Sequence, residues 1–142
     1  MKRTMKFASL LLALVMVFAM SVTAFAAGTT TITVKNAVSG QKYELYKILD
    51  LSVNESKTAY SYTVNSTWAD FFKSPDGKGL TYVNIDTQGY VTWKDGADVA
   101  AFAKDAEAFA KGLTALKTIT ADKDGDITFS DLEAGYYLVT ST

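Results

Sequence analysis

Short runs in which apolar and polar residues alternate, divided by turn residues, set what this chain can fold into. Thr29 to Asn36 reads TTTITVKN. Alternate side chains of a strand point to opposite faces, so Ile32 and Val34 share one face and Thr31, Thr33 and Lys35 the other. β-Branched residues in this period predict a strand. Ser39-Gly40 supplies a turn, and Lys42 to Leu51 (KYELYKILDL) reads as a second strand. Asn54-Glu55-Ser56-Lys57 is polar and turn-like, and Tyr60, Tyr62 and Val64 then alternate with Ser61 and Thr63 on a third strand.

The period changes at Ser66. Trp68, Phe71 and Phe72 stand at i, i+3 and i+4, which predicts one helical turn with all three on one side, capped by Ser66 or Thr67. Ser74 to Gly79, with Pro75, ends it. Tyr82 to Ile85 and Tyr90 to Trp93, around Asp86-Thr87-Gln88-Gly89, read as a β-hairpin. Val99, Phe102, Ala106, Phe109, Leu113 and Leu116 then draw one apolar stripe of a helix, with Asp95 as its cap, Asp98 in its first turn and Gly112 near its end. Lys104, Glu107 and Lys111 fall on the water-facing side. Its mixed charges and small alanines predict packing on a sheet rather than on a membrane surface. Asp126 to Phe129 and Gly135 to Thr140 close the chain as strands. Strands, a helical stretch, then strands again predict a mainly β fold: a β-sandwich with a helical insertion.

The first 26 residues stand apart. Lys2, Arg3 and Lys6 are basic, Leu10 to Met20 is wholly apolar, and Ala24-Phe25-Ala26 has small residues where a signal peptidase reads. These are the parts of a secretory signal, and the apolar run is shorter than the ~20 residues a spanning helix needs. Cleavage is expected between Ala26 and Ala27. The mature chain of 116 residues then suits one domain, and its 11 basic and 15 acidic residues leave a net charge of −4. That balance points away from nucleic acid, and no membrane contact is expected after cleavage.

The chain has no cysteine and no histidine. It must therefore hold together without disulfides, and it lacks Ser-His and Cys-His nucleophile pairs and the common zinc ligands. No cofactor is expected. Carboxylates, lysines and tyrosines remain as possible chemistry. An enzyme built on an acid pair, as in glycosidases, finds no spacing that singles out two of the 15 acids.

One segment imitates a calcium loop. In Asp122 to Glu133 (DKDGDITFSDLE), acids stand at positions 1, 3, 5 and 12, the ligand positions of an EF-hand. Position 6 requires glycine, and Ile127 occupies it. The segment then runs into Tyr-Tyr-Leu-Val-Thr rather than a helix. It is read as a hairpin turn at Asp124-Gly125 feeding a strand. Any calcium site on Asp122, Asp124, Asp126 and Glu133 is expected to be weak.

Taken in order, TITVKNAVSGQKYELYKILDL, STWADFF, YVNIDTQGYVTWKDGADVAAFAKDAEAFAKG and DITFSDLEAGYYLVTST resemble the N-terminal domain of Gram-positive sortase-assembled major (backbone) pilins, a family of isopeptide-forming fimbrial proteins. The closing pattern, a Phe strand, Leu-x-x-Gly, then Tyr-Tyr-Leu-Val, is its most specific part. The resemblance implies an immunoglobulin-like β-sandwich with a helical insertion, at the cell wall surface, in a fibre used for adhesion. It implies other pilin subunits and a pilus sortase as partners, and a host surface ligand. It also implies an internal Lys–Asn bond in place of disulfides, for which Lys35 or Lys47 could be the amine and Glu44 the acid. The closing strands offer no Asn, so the bond is not expected here. The family's Tyr-Pro-Lys-type and Leu-Pro-x-Thr-Gly motifs do not occur in these residues. The chain is therefore read as a truncated or partial pilin, incomplete at its C-terminal end and not polymerised by a sortase as it stands. The alternative is a secreted binding module whose exposed Tyr60, Tyr62, Tyr82 and Tyr90 stack on host glycan or protein.

Overall fold

Apolar–polar alternation becomes strand pairing in the computed structural model, which describes residues 30–53, 59–73, 75 and 77–142. The expected export signal, its Ala26–Ala27 cleavage point and the polar turn Asn54 to Lys57 lie outside the described residues. The strands are β1 (Thr30–Ala37), β2 (Lys42–Val53), β3 (Tyr60–Val64), β4 (Val83–Ile85), β5 (Tyr90–Trp93), β6 (Lys117–Thr120), β7 (Gly125–Leu132) and β8 (Gly135–Ser141). Two 3-10 segments, Ser66–Phe72 and Lys78–Thr81, and one helix, α1 (Val99–Ala110), come between β3 and β6. The protein is thus mainly β, antiparallel, with a helical stretch between strands. Among the described residues no helix is long and apolar enough to cross a membrane.

The chain divides into two units. One holds the described residues up to Tyr46 together with Ala115–Thr142; the other is Lys47–Thr114, so β2 supplies residues to both.

In the first unit β1 pairs antiparallel with β7, placing Ile32 opposite Phe129 and Val34 opposite Ile127. Thr33 and Thr128 meet on the outer face, their hydroxyls 3.0 Å apart. The start of β2 pairs with β6, Tyr43 opposite Ile119. β8 also pairs with β2, and Lys42 and Thr142 exchange backbone hydrogen bonds of 3.0 and 2.9 Å. The closing strands therefore pair with the opening ones. Ile32, Val34, Phe129 and Leu132 from one sheet join Tyr43, Leu45, Tyr137 and Val139 from the other in a single buried cluster.

The β1–β7 ladder carries two bulges. Between Val34 and Ala37, β1 advances three residues while β7 advances two; between Thr30 and Ile32 the excess lies on β7. Each bulge contains a residue in the left-handed region, Asn36 (φ 56°) and Asp131 (φ 57°). Asn and Asp tolerate that backbone better than other side chains, which explains their presence inside strands that otherwise favour β-branched residues.

In the second unit the end of β2 pairs with β3, β3 with β5, and β5 with β4. The expected hairpin is formed, with Ile85 opposite Val91 and Val83 opposite Trp93. The Asp86 carboxylate accepts from the backbone N–H groups of Gln88 and Tyr90, both at 2.9 Å, and so shapes its turn. Trp68, Phe71 and Phe72 are all buried, as their spacing predicts. Phe71 and Phe109 rings lie 5.3 Å apart, and Trp93 meets Phe102 edge-on at 5.0 Å. Gly79 threads this aromatic group: a Cβ there would stand 2.4 Å from Phe72 Cδ1.

Three local expectations need correction. Asn65, not Ser66 or Thr67, caps the first 3-10 segment, its side chain accepting from Thr67 N–H. Asp98, not Asp95, is the N-cap of α1, accepting from Ala101 N–H at 3.0 Å. The helix also ends at Ala110, short of Leu113 and Leu116. Leu116 is 54% exposed and its N–H already donates to Leu45 carbonyl at 2.7 Å, because the alternating Lys117-Thr-Ile-Thr run enters the sheet as β6. Ladder hydrogen bonds there outweigh one more helical turn beyond Gly112.

The bulge at Asn36 makes a test. Its side chain is exposed, so substitution reports the backbone. Asn36→Val should cost about 1–2 kcal/mol, and Asn36→Gly should be neutral or slightly stabilising. Urea denaturation of the three proteins measures both.

Candidate functional site

The acidic segment Asp122 to Glu133 is the strongest candidate for bound chemistry, and two of its carboxylates, those of Asp124 and Asp126, are engaged by neighbouring strands and turns. The residues after β6 do not form a hairpin: β6 pairs with β2 whereas β7 pairs with β1, so Asp122 to Asp124 carry the chain from one sheet to the other. That loop is clasped to the β1–β2 turn. Ser39 N–H donates to Asp124 Oδ1 at 2.8 Å, Ser39 Oγ donates to the Asp122 carbonyl at 3.1 Å, and Gly40 N–H donates to the Ala121 carbonyl at 2.8 Å. Asp126 Oδ2 lies 2.6 Å from Lys35 Nζ, and its Oδ1 accepts from Asn36 N–H at 3.3 Å. The hydrogen bond from Lys35, then that from Asn36, holds the Asp126 carboxyl below its usual range. Glu133 lies beyond β7, and its carbonyl accepts from the Tyr137 hydroxyl at 2.5 Å. Among the described residues no three acids come together in a way that could hold a metal ion.

The two candidate lysines have opposite surroundings. Lys35 is 71% exposed. An exposed pair such as Lys35–Asp126 is screened by water and adds little to stability. Lys47 is only 10% exposed, and its Nζ lies 3.1 Å from Asp50 Oδ1. Asn65 Nδ2 donates to that same oxygen at 3.1 Å, while Asn65 Oδ1 accepts from Thr67 N–H and, at 2.7 Å, from Thr67 Oγ1. Glu44, the expected acid, is instead 3.2 Å from Lys42 Nζ and accepts from the Tyr46 hydroxyl at 3.2 Å.

An amine, a carboxylate and a carboxamide thus meet at Lys47, Asp50 and Asn65. Sequence reasoning missed Asp50 and Asn65. Residues three apart in an ideal strand point to opposite faces, so a strict period of two separates Lys47 from Asp50. Amide formation needs all three groups withdrawn from water so that the amine is neutral and the acid protonated. Asp50 is 40% exposed, which leaves water at the group that would have to move protons.

The four tyrosines do not form the exposed set that a binding module would present. Tyr82 is buried, and its hydroxyl donates to Asp105 Oδ2 at 2.5 Å. Tyr90 is 40% exposed. Tyr60 and Tyr62 are half-buried on β3, registered opposite Val53 and Leu51. Burial raises the Tyr62 hydroxyl above its ordinary range. The hydrogen bond to Asp105, then burial, then the charges of Asp105 and Asp98 push Tyr82 up to about 12.

Two outcomes follow from these contacts. Intact mass of the purified chain should equal that of the unmodified polypeptide, with no loss of ammonia; a deficit of one ammonia, mapped to Lys47 and Asn65, would contradict this reading. For Tyr82, the folded state holds the phenolic proton more tightly than the unfolded chain, whose pKa is about 10. The stability this adds is complete below pH 10 and is lost as pH rises through about 12. Tyr82→Phe should cost about 1 kcal/mol at neutral pH. The gap between wild type and variant in chemical denaturation should narrow as pH rises from about 10 to about 12.

No family model matches the chain, and the comparison with curated proteins found no match.

Proposed function

We propose that this chain is the N-terminal structural module of a Gram-positive surface pilus or fimbria that serves adhesion. In this reading its strands form an immunoglobulin-like β-sandwich with a helical insertion. The observation that carries the proposal lies where the chain passes from β7 to β8. These strands belong to different sheets that share one buried cluster, and Tyr137 near the start of β8 donates its hydroxyl to the Glu133 carbonyl four residues earlier. A tyrosine bonded back to the backbone at the crossing between sheets is the tyrosine corner of immunoglobulin-type sandwiches. The ordered strand, helix and closing-strand segments add their likeness to the pilin family.

The role is mechanical rather than catalytic. The acids that might have done chemistry serve as turn acceptors and ion-pair partners: Asp124 to Ser39, Asp126 to Lys35, Asp86 within its hairpin. Identical or related pilin subunits and a pilus sortase are the partners of the full protein, and a host surface ligand is the target of the fibre. The protein acts outside the cell, at the wall.

An antibody raised against residues 27–142 decides the matter on cell-wall extracts of the source bacterium, boiled in detergent. A ladder of high-mass species that disappears when the pilus sortase gene is deleted is expected. A single band at monomer mass in both wall and medium would overturn the assignment.

A further inference from the structure

The tripeptide Lys-Asp-Gly occurs twice among the described residues, as Lys94-Asp95-Gly96 and as Lys123-Asp124-Gly125. An aspartate followed by glycine is chemically labile. The glycine nitrogen, unhindered by a Cβ on its own residue, can attack the preceding side-chain carboxyl carbon. With the carboxyl in its protonated form, its hydroxyl and the glycine amide proton leave together as water, and a five-membered imide closes. Water then adds to the imide, and opening at the former backbone carbonyl yields isoaspartate, with the main chain rerouted through Cβ. Atoms balance without any other reactant, and the product has the mass of the starting chain. Local sequence is the same at both sites on the attacked side, so folded structure decides which one reacts.

The two environments differ in three respects. Asp124 is tied: its Oδ1 accepts from Ser39 N–H at 2.8 Å, whereas no hydrogen bond or ion pair among the described residues engages the exposed Asp95 carboxylate. Gly125 is the first residue of β7 and stands in register with Ala37, so its peptide is part of a ladder. Gly96 lies in an exposed turn closed by one backbone bond, Ala97 N–H to the Lys94 carbonyl at 3.1 Å. Finally, Asp122 to Asp124 are clasped to the β1–β2 turn by Ser39 Oγ and Gly40 N–H. Ring closure at Asp124 requires that clasp and the strand start to open; ring closure at Asp95 requires only rotation within the turn.

We propose that Asp95 is a site of spontaneous isoaspartate formation in the folded protein and that Asp124, in the same tripeptide, is protected by the fold. The modification falls where it matters for packing. It inserts one extra main-chain carbon three residues before Asp98, the N-cap of the helix that carries Phe102 and Phe109 into the aromatic group. Asp95 is therefore a position through which ageing reaches the second unit.

The test incubates the exported protein at physiological temperature and neutral pH for several weeks. Chymotryptic peptides are then fragmented by electron transfer, which distinguishes isoaspartate from aspartate. Cleavage after Trp93, Phe102, Leu116 and Phe129 separates the two sites. Isoaspartate should accumulate at Asp95 at least about tenfold faster than at Asp124, because local opening of an exposed turn costs far less than opening a clasped ladder. In denaturant the two rates should converge. Equal rates in the folded protein, faster reaction at Asp124, or a contrast that persists in the unfolded chain would each overturn the proposal.

Discussion

A two-stranded sheet does not hold itself in water, and β1–β7 is two-stranded among the described residues. What keeps it in place is the burial of Ile32, Val34, Phe129 and Leu132 against Tyr43, Leu45, Tyr137 and Val139. Full burial of such a side chain contributes about 1.5–3 kcal/mol, more than a water-screened ion pair such as Lys35–Asp126 adds. The outer-face contacts of that ribbon therefore depend on the inner face. Without cysteine, no disulfide can substitute for it. The bulges at Asn36 and Asp131 follow from the same demand. They let the ladder add a residue on each strand while Ala37 and Leu132 still reach the buried side.

The second unit solves its packing with rings. Phe71 touches Trp68, Phe72, Phe102 and Phe109, with centroids 5.1 to 5.7 Å apart. Edge-to-face pairs, which Phe71 makes with Trp68, Phe72 and Phe102, add to the burial term. They also demand a close backbone approach, which Gly79 supplies. Around both cores the short polar side chains serve the backbone. Asp86, Asp98, Asp124 and Asn65 each accept from main-chain N–H groups at turns or helix starts. An acid-rich segment can therefore resemble a metal loop in spacing while two of its carboxylates, Asp124 and Asp126, are engaged elsewhere.

Much of this architecture is legible residue by residue. Period-two alternation located β1 and β3, runs of strand-favouring residues beside turn signals located β2, β5 and β8, and the i, i+3, i+4 spacing of Trp68, Phe71 and Phe72 located a buried helical turn. Legibility failed where two signals compete for the same residues. Leu113 and Leu116 extend the helical stripe, yet Leu116 already donates to Leu45 and leads into β6. Asp95 and Asp98 are both plausible caps from sequence, and only backbone geometry selects Asp98. The Lys47–Asp50–Asn65 group is invisible to a strict period of two because it joins residues three apart on one strand to a residue beyond the next.

Sequence by itself determined the class of structure: short antiparallel strands, a helical stretch between them, and closure without disulfides. Those follow from local periodicity and composition, which act over a few residues. Tertiary structure alone decided which strands pair, which acids are engaged and which lysine is buried. Lys-Asp-Gly makes the division plain, since one copy is clasped to Ser39 and enters a ladder while the other caps nothing and stands in an exposed turn. The physical reason is that a carboxylate's partners, and the freedom of the peptide beside it, are supplied by residues distant in sequence. No local pattern records their positions.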